Sequence, residues 1–285
     1  PSTAVALNNL ALAYEELGDY AKAESHYRRA LAIWEKSLGP DHAKTAIALN
    51  NLSRLYRAVG DYARAEPLLK RSLAIREKTL GPDHSDTAIA LNNLAMLYTD
   101  IGDYARAEPL WSRAIAIWEK TLGPDHPNMA VSLNSLASLY KDIGDYAKAE
   151  SLFKRSLAIR EKTFGPDHPD VANSLNNLAV LYKTMGDHAK AEPLYKRTLA
   201  ICEKALGPEH RYTALTLSNL ASLYDEMGDY AKAEPLYKRS LAIREKTLGP
   251  GHPDTAVSLN NLAVHYKDTG DYVEADPLYK RSLAI

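Results

Sequence analysis

Six histidines, His42, His84, His126, His168, His210 and His252, follow one another at intervals of 42 residues. An imidazole can ligate a metal or move a proton near neutral pH, so a recurring histidine raises both chemistries. The interval argues against them. Ligands of one ion must lie within about 2 Å of it, whereas equivalent atoms in successive packed helical units are separated by at least about 8–10 Å. The expected role is local, as a cap on the helix that follows. Asp41, Asp83, Asp125 and Asp167 stand beside these histidines and could pair with them or hold a cation weakly. Glu209 and Gly251 at the same place mean that no fixed carboxylate geometry is required. No nucleophile and base stand out from the repeat, and the glycines are spread singly rather than clustered as a phosphate loop requires. An active site gathers several different residues once, and an array offers the same few residues many times. The chain is therefore expected to be no enzyme, with no catalytic residue, no cofactor and no metal site.

Paired asparagines are harder to dismiss. Blocks reading Leu-Asn-Asn-Leu begin at Leu7, Leu49, Leu91, Leu175 and Leu259, with single Asn-to-Ser changes in the copies beginning at Leu133 and Leu217. Asn is several tenths of a kcal/mol worse than Ala inside a helix, so something must compensate. Two roles fit: a structural ladder between neighbouring helices, or a surface whose amides bond the backbone of an extended peptide whatever its sequence. The peptide reading takes Asn8, Asn9, Asn50, Asn51, Asn92, Asn93, Asn134, Asn176, Asn177, Asn219, Asn260 and Asn261 as groove residues. Charge then varies along the groove. Glu15 and Glu16 are followed by Arg54 and Arg57, Asp100, Lys141 with Asp142, Lys183, Asp225 with Glu226, and Lys267 with Asp268. Arg54, Arg57, Lys141 and Lys183 complete the candidate site, and an acidic segment would prefer the second and fifth repeats.

The elements that must carry these residues can be read from one repeat. From Asp170 to Met185 apolar residues fall at Val171, Leu175, Leu178, Ala179, Leu181 and Tyr182, the spacing of one helical face. Pro169 suits the first position of this helix A, and Asp170 places negative charge at its positive end. Gly186 can end helix A and Asp187 can cap the next. A turn of about two residues then returns helix B antiparallel, with Ala191, Leu194, Tyr195, Thr198, Leu199 and Ile201 inward and Leu206 closing it before Gly207-Pro208. Pro67, Pro109, Pro193, Pro235 and Pro277 lie about six residues into helix B, where Ser25 and Ser151 stand in the other copies. Helix B is either bent there or begins one turn later. Trp34, Arg76, Trp118, Arg160, Cys202 and Arg244 share one position, a mixture that suggests a partly exposed packing site. Tyr27, Leu69, Trp111, Phe153, Tyr195, Tyr237 and Tyr279 share another, which reads as core.

Composition narrows the partners. The 285 residues carry 35 Lys and Arg against 36 Asp and Glu, so no overall field favours nucleic acid or an anionic membrane. One cysteine, Cys202, rules out an intrachain disulfide framework. No apolar run approaches the roughly 18 residues of a membrane span. Pro1 is in register with Pro127, Pro169 and Pro253, and Ile285 falls inside a helix B, so the sequence is expected to be a piece of a longer array. A cytoplasmic protein is expected.

Gly60 before the turn, Tyr62 after it, the small Ala65, Leu52 and Tyr56 on helix A and the large Leu69 together resemble the tetratricopeptide repeat. The 42-residue unit with its Leu-Gly-Pro-Asp-His loop is most similar to repeats of the kinesin light chain type and their bacterial relatives. The resemblance covers the whole chain. It implies an all-α, right-handed superhelical solenoid of seven helical hairpins, with A helices concave and B helices convex. It also implies one array, residues 1–285, with repeats 1–42, 43–84, 85–126, 127–168, 169–210, 211–252 and 253–285. The function it implies is a protein-protein interaction scaffold holding an extended peptide or partner helix. Alternatives are a rod that self-associates end to end through uncapped terminal repeats, and a sensor or regulatory arm of a larger signalling protein.

Overall fold

Glycines stop the helices of each repeat, and the aspartates and histidines that follow restart them. The computed structural model describes residues 2–285, and among the described residues it holds fourteen α-helices and no strand. The A helices are α1 (Ser2–Glu16), α3 (Ala43–Ala58), α5 (Ser85–Asp100), α7 (Pro127–Asp142), α9 (Pro169–Thr184), α11 (Arg211–Glu226) and α13 (Pro253–Asp268). The B helices are α2 (Tyr20–Leu38), α4 (Tyr62–Leu80), α6 (Tyr104–Leu122), α8 (Tyr146–Phe164), α10 (His188–Ala205), α12 (Tyr230–Leu248) and α14 (Tyr272–Leu283). The helices gather into two compact units, which divide between Leu139 and Tyr140 in the last turn of α7. In the first unit α1 to α6 each pack on the next, and in the second so do α8 to α14. A helices also touch A helices directly, α3 on α5 in the first unit and α9 on α11 on α13 in the second. Each unit is thus a stack of helical hairpins, the fold class expected.

One turn explains the rest. Gly60 takes φ +77°, its N–H donates to the Arg57 carbonyl at 3.0 Å, and the Asp61 N–H reaches back to the Tyr56 carbonyl at 2.8 Å. These two bonds close α3 in a left-handed glycine cap. The Asp61 carboxylate then accepts from the Arg64 N–H at 3.1 Å and opens α4. The connection is Val59, Gly60 and Asp61, one residue longer than expected, because the last turn of α3 needs a cap residue ahead of the glycine. At the far end of the B helix Gly81 adopts φ 97°, ψ 160°, a region open essentially to glycine alone. In the fifth repeat α10 ends at Ala205 and Leu206 is its cap residue, one residue earlier than expected.

The histidines cap, as their spacing required. His42, His84, His126, His168, His210 and His252 each accept through Nδ1 from the N–H two residues on, at 3.0–3.2 Å. The neighbouring acids do something else. Asp41 pairs with Lys78, Asp83 with Lys120 at 2.9 Å and Asp167 with Lys204 at 2.6 Å, each lysine belonging to the B helix of the following repeat. Glu209 takes the same part with Lys246 at 2.6 Å. Aspartate and glutamate serve alike at these four copies.

Proline does not delay helix B. α4, α6, α10, α12 and α14 contain Pro67, Pro109, Pro193, Pro235 and Pro277, yet start at the position where α2 and α8, with Ser25 and Ser151, start. The later start is overturned for a simple reason. Pro67 frees only the carbonyl of Ala63 four residues back, and both residues are exposed, so the carbonyl is open to solvent.

The shared core position is buried at Tyr27, Leu69, Trp111, Phe153, Tyr195 and Tyr237, and half-buried at Tyr279. The position of Trp34, Arg76, Trp118, Arg160, Cys202 and Arg244 is not partly exposed as expected but buried throughout, with Arg76 and Arg160 at 9 % exposure. Arginine fits there because its stem packs while its guanidinium donates to a backbone carbonyl of the next A helix. Arg76 bonds the Asp86 carbonyl at 2.6 Å, Arg160 that of Asp170 at 2.9 Å and Arg244 that of Asp254 at 2.7 Å. Burial lowers the pKa of all three from the ordinary arginine value.

Candidate functional site

Helix A carries its asparagines on the surface where A helices meet A helices, and the amides bond across that seam in a fixed pattern. The second Asn of one repeat donates to the first Asn of the repeat before. Asn51 Nδ2 reaches Asn8 Oδ1 at 2.8 Å, Asn93 reaches Asn50 at 2.5 Å and Asn219 reaches Asn176 at 2.9 Å. Where serine stands in the first position the pattern survives, Asn261 donating to Ser218 Oγ at 3.1 Å. Ser132 donates to Asn92 Oδ1 at 2.6 Å. These bonds compensate for the poor helix propensity of Asn, since each is worth about 0.5–1.5 kcal/mol against a propensity loss of several tenths.

Each bond uses half of an amide. Asn50 gives its oxygen to Asn93 and keeps its Nδ2, and Asn51 gives its Nδ2 to Asn8 and keeps its oxygen. Neither atom is fully buried, since no asparagine is among the described side chains sealed away without a partner. Asn92 is the exception, its Nδ2 lying 3.4 Å from Asn93 Oδ1 and 3.5 Å from Met96 Sδ. Asn9 and Asn260 stand exposed, Asn134 and Asn177 are half-buried, and Asn176 is buried.

In the first unit the pattern borders a cavity of about 120 Å³. Asn50, Arg54, Arg57 and Asn93 line it together with Leu69 and Met96, so four of the expected site residues converge there. The basic residues are not free charges, however. Arg54 pairs with Glu15 of the preceding repeat at 2.7 Å and also donates to the Tyr27 hydroxyl at 3.2 Å. Arg57 pairs with Asp100 of the following repeat at 2.6 Å. In the second unit Lys183 pairs with Glu226 at 3.0 Å and donates to Ser222 at 2.6 Å, and Lys141 pairs with Asp142 at 3.2 Å. Tyr27 in turn donates to Glu15 at 3.0 Å, and burial first, then the Glu15 charge, pushes its phenol up to about 12. An acidic ligand at the second or fifth repeat would have to displace an internal carboxylate.

The opposite side of helix A carries a motif that sequence reading passed over. Tyr56 donates to Glu24 at 2.8 Å, Tyr98 to Glu66 at 2.9 Å, Tyr182 to Glu150 at 2.7 Å, Tyr224 to Glu192 at 2.9 Å and Tyr266 to Glu234 at 2.9 Å. Every one of these bonds runs from an A helix to the B helix of the preceding repeat. The signal was present as Tyr and Glu at a spacing of 32 residues.

Capped helical hairpins in register define a helical-repeat protein whose ordered polar surfaces are shared between repeats. The tetratricopeptide repeat model matches residues 2–78, 55–110, 86–162, 136–204, 170–246 and 212–285, and the chain belongs to that family. Tetratricopeptide repeat proteins generally mediate protein-protein interactions. Kinesin light chain nearly identical TPR-like repeats from Podosopora anserina are 30 % identical over 72 % of this chain and 98 % of theirs, with a TM-score of 0.64. BtubC from P. vanneervenii is 25 % identical over 80 % of this chain and 89 % of its own, also at 0.64. The apo form of RapI, 16 % identical, shares the fold over 99 % of this chain and 96 % of its own at a TM-score of 0.74. No curated protein sequence matches the chain. No helix among the described residues is long and apolar enough to cross a membrane.

Proposed function

We propose that the A-helix surface binds an extended segment of a partner protein, using the asparagine amides to recognise its backbone. The observation that carries this is the half-used amide: the inter-repeat bond fixes the orientation of Asn8, Asn50 and Asn51 and leaves a donor or an acceptor on each. A peptide backbone offers one acceptor and one donor per residue, so a row of oriented amides matches it without reading side chains. Side-chain preference comes from the cavity at Leu69 and Met96, which has room for a small apolar group. The ion pairs of Arg54, Arg57 and Lys183 then serve mainly to hold repeats in register, and favour an acidic segment only where its carboxylates replace Glu15, Asp100 or Glu226.

The test is a random peptide library displayed against the intact chain and against Asn8→Asp with Asn50→Asp. Aspartate keeps the oxygen that each inter-repeat bond needs and removes the remaining N–H donor. Peptides retained by the wild type and lost by the variant support the reading; equal retention places binding on another surface.

A further inference from the structure

Six of the seven tyrosines that end the A helices have a cation from their own repeat over the ring. Lys22 lies 5.2 Å from the centre of Tyr14, Arg64 4.2 Å from Tyr56, Arg106 4.1 Å from Tyr98, Lys148 4.6 Å from Tyr140, Lys190 5.1 Å from Tyr182 and Lys232 5.2 Å from Tyr224. Each cation also pairs with the aspartate that caps its B helix, as Arg64 does with Asp61 at 2.5 Å and Lys190 with Asp187 at 2.7 Å. The two arginines hold a second carboxylate as well, Arg64 with Glu24 and Arg106 with Glu66, both at 3.1 Å.

The seventh copy lacks the cation of its own repeat. Tyr266, Glu234 and Asp271 stand where Tyr56, Glu24 and Asp61 stand, but the position of Arg64 is Glu274. The cation over this ring is Lys238 of the preceding B helix, 5.8 Å from its centre, and beside it opens a cavity of about 460 Å³ walled by Tyr266, Glu234, Asp271, Glu274, Lys238 and His265. Three carboxylates face one ammonium, that of Lys238, which pairs with Glu234 at 2.7 Å. Among the described residues no cation pairs with Asp271 or Glu274. His265 adds an independent sign. It replaces the leucine of five other copies and the Ala13 of the first, is 2 % exposed, spends Nδ1 on Asp225 at 2.7 Å, and lines the cavity with Nε2 bonded to no described residue.

We propose that this cavity is a docking site for an arginine side chain of a protein partner. A ring and a cap aspartate hold a basic side chain of their own repeat in the six other copies, and in the seventh, where Asp271 and Glu274 pair with no described cation, one is taken from outside. Arginine suits it better than lysine because Arg64 and Arg106 lie closest to their rings and bridge two carboxylates with one planar fork, which an ammonium does not reproduce. Tyr266 lies five and six residues beyond Asn261 and Asn260, about 140° and 240° round the helix at roughly 100° per residue. The site is therefore separate from the amide surface and does not depend on the function proposed for it.

The experiment titrates capped Gly-Arg-Gly into the intact chain with ring-labelled tyrosine and histidine, read by NMR. Saturable shifts at Tyr266 and His265 with Kd about 1 mM are expected, at least ~10-fold weaker for capped Gly-Lys-Gly and absent for the norleucine peptide. Glu274→Arg supplies the guanidinium within the chain and is expected to abolish the titration while raising Tm, which also shows that the variant is folded. Asn8→Asp with Asn50→Asp is expected to leave it unchanged. No shift at either ring in the wild type, or an undiminished titration of the Glu274→Arg variant, overturns the proposal.

Discussion

The two faces of helix A use polar residues to opposite ends. On the face toward the preceding B helix, Tyr98 spends its hydroxyl on Glu66, Glu66 also holds Lys70 and Arg106, and Arg106 covers the Tyr98 ring. All three partners of Glu66 meet at one oxygen, Oε1. On the other face Asn50 and Asn51 each bond one neighbour and keep one polar atom in reserve. A face whose tyrosine, carboxylate and cations converge on one another across repeats is there to hold repeats together, whereas one that orients amides and leaves half of each unbonded is suited to a partner. His265 and Glu274 break the first pattern at one repeat, which is why that repeat stands out.

The largest effect should come from the packing that both faces share. Leu178 is 3 % exposed, and Leu178→Ala is expected to cost about 2–5 kcal/mol by cavity formation. Leu10, the equivalent residue in the first repeat, is 43 % exposed, so Leu10→Ala should cost well under about 1 kcal/mol. Equal shifts in urea midpoint for the two would mean that the hairpins do not stack as described. Gly186→Ala comes next. Gly186 has φ +74° and open space around its α-carbon, so the strain is backbone alone, roughly 1–2 kcal/mol by the same measurement.

Tyr98→Phe sharpens the comparison between faces. It removes a bond to a carboxylate already committed to Lys70 and Arg106, and should cost about 1 kcal/mol in chemical denaturation. A smaller effect is expected at high pH. Tyr27 titrates at about 12 in the folded chain against about 10 when unfolded. A raised phenol contributes stability that is complete below pH ~10 and is lost as pH rises towards ~12. Tyr27→Phe should therefore flatten the fall of Tm over that window, and an unchanged slope would mean that the burial of Tyr27 is not felt.

Much of this was legible because a period of 42 residues turns one chain into seven readings of the same question. Gly60, Asp61 and His84 announced their caps through residue type alone, since only glycine takes the required φ and only a side-chain acceptor restarts a helix. Pro67 misled as to where helix B might begin because propensity counts a lost bond without asking whether water can replace it. Arg76 was misplaced because charge was read as exposure, while its stem and one backbone carbonyl suffice to bury it. Pairing was the information that spacing could not carry. That Asn93 bonds Asn50 rather than Asn51, or that Arg57 meets Asp100, depends on the stagger between neighbouring helices. Glu274 was visible in the column of Arg64, but it meant nothing until the ring beneath that column was known.

The central claim is that the amide face orients groups it does not itself use. Its most direct test is Asn8→Asp with Asn50→Asp, followed by both a denaturation midpoint and binding of peptides selected on the wild-type chain. The inter-repeat acceptors survive, so stability should change by no more than about 0.5 kcal/mol, while peptide binding should be lost. A variant that stays folded and binds the selected peptides as the wild type does would contradict the claim and leave the asparagines as a purely structural ladder.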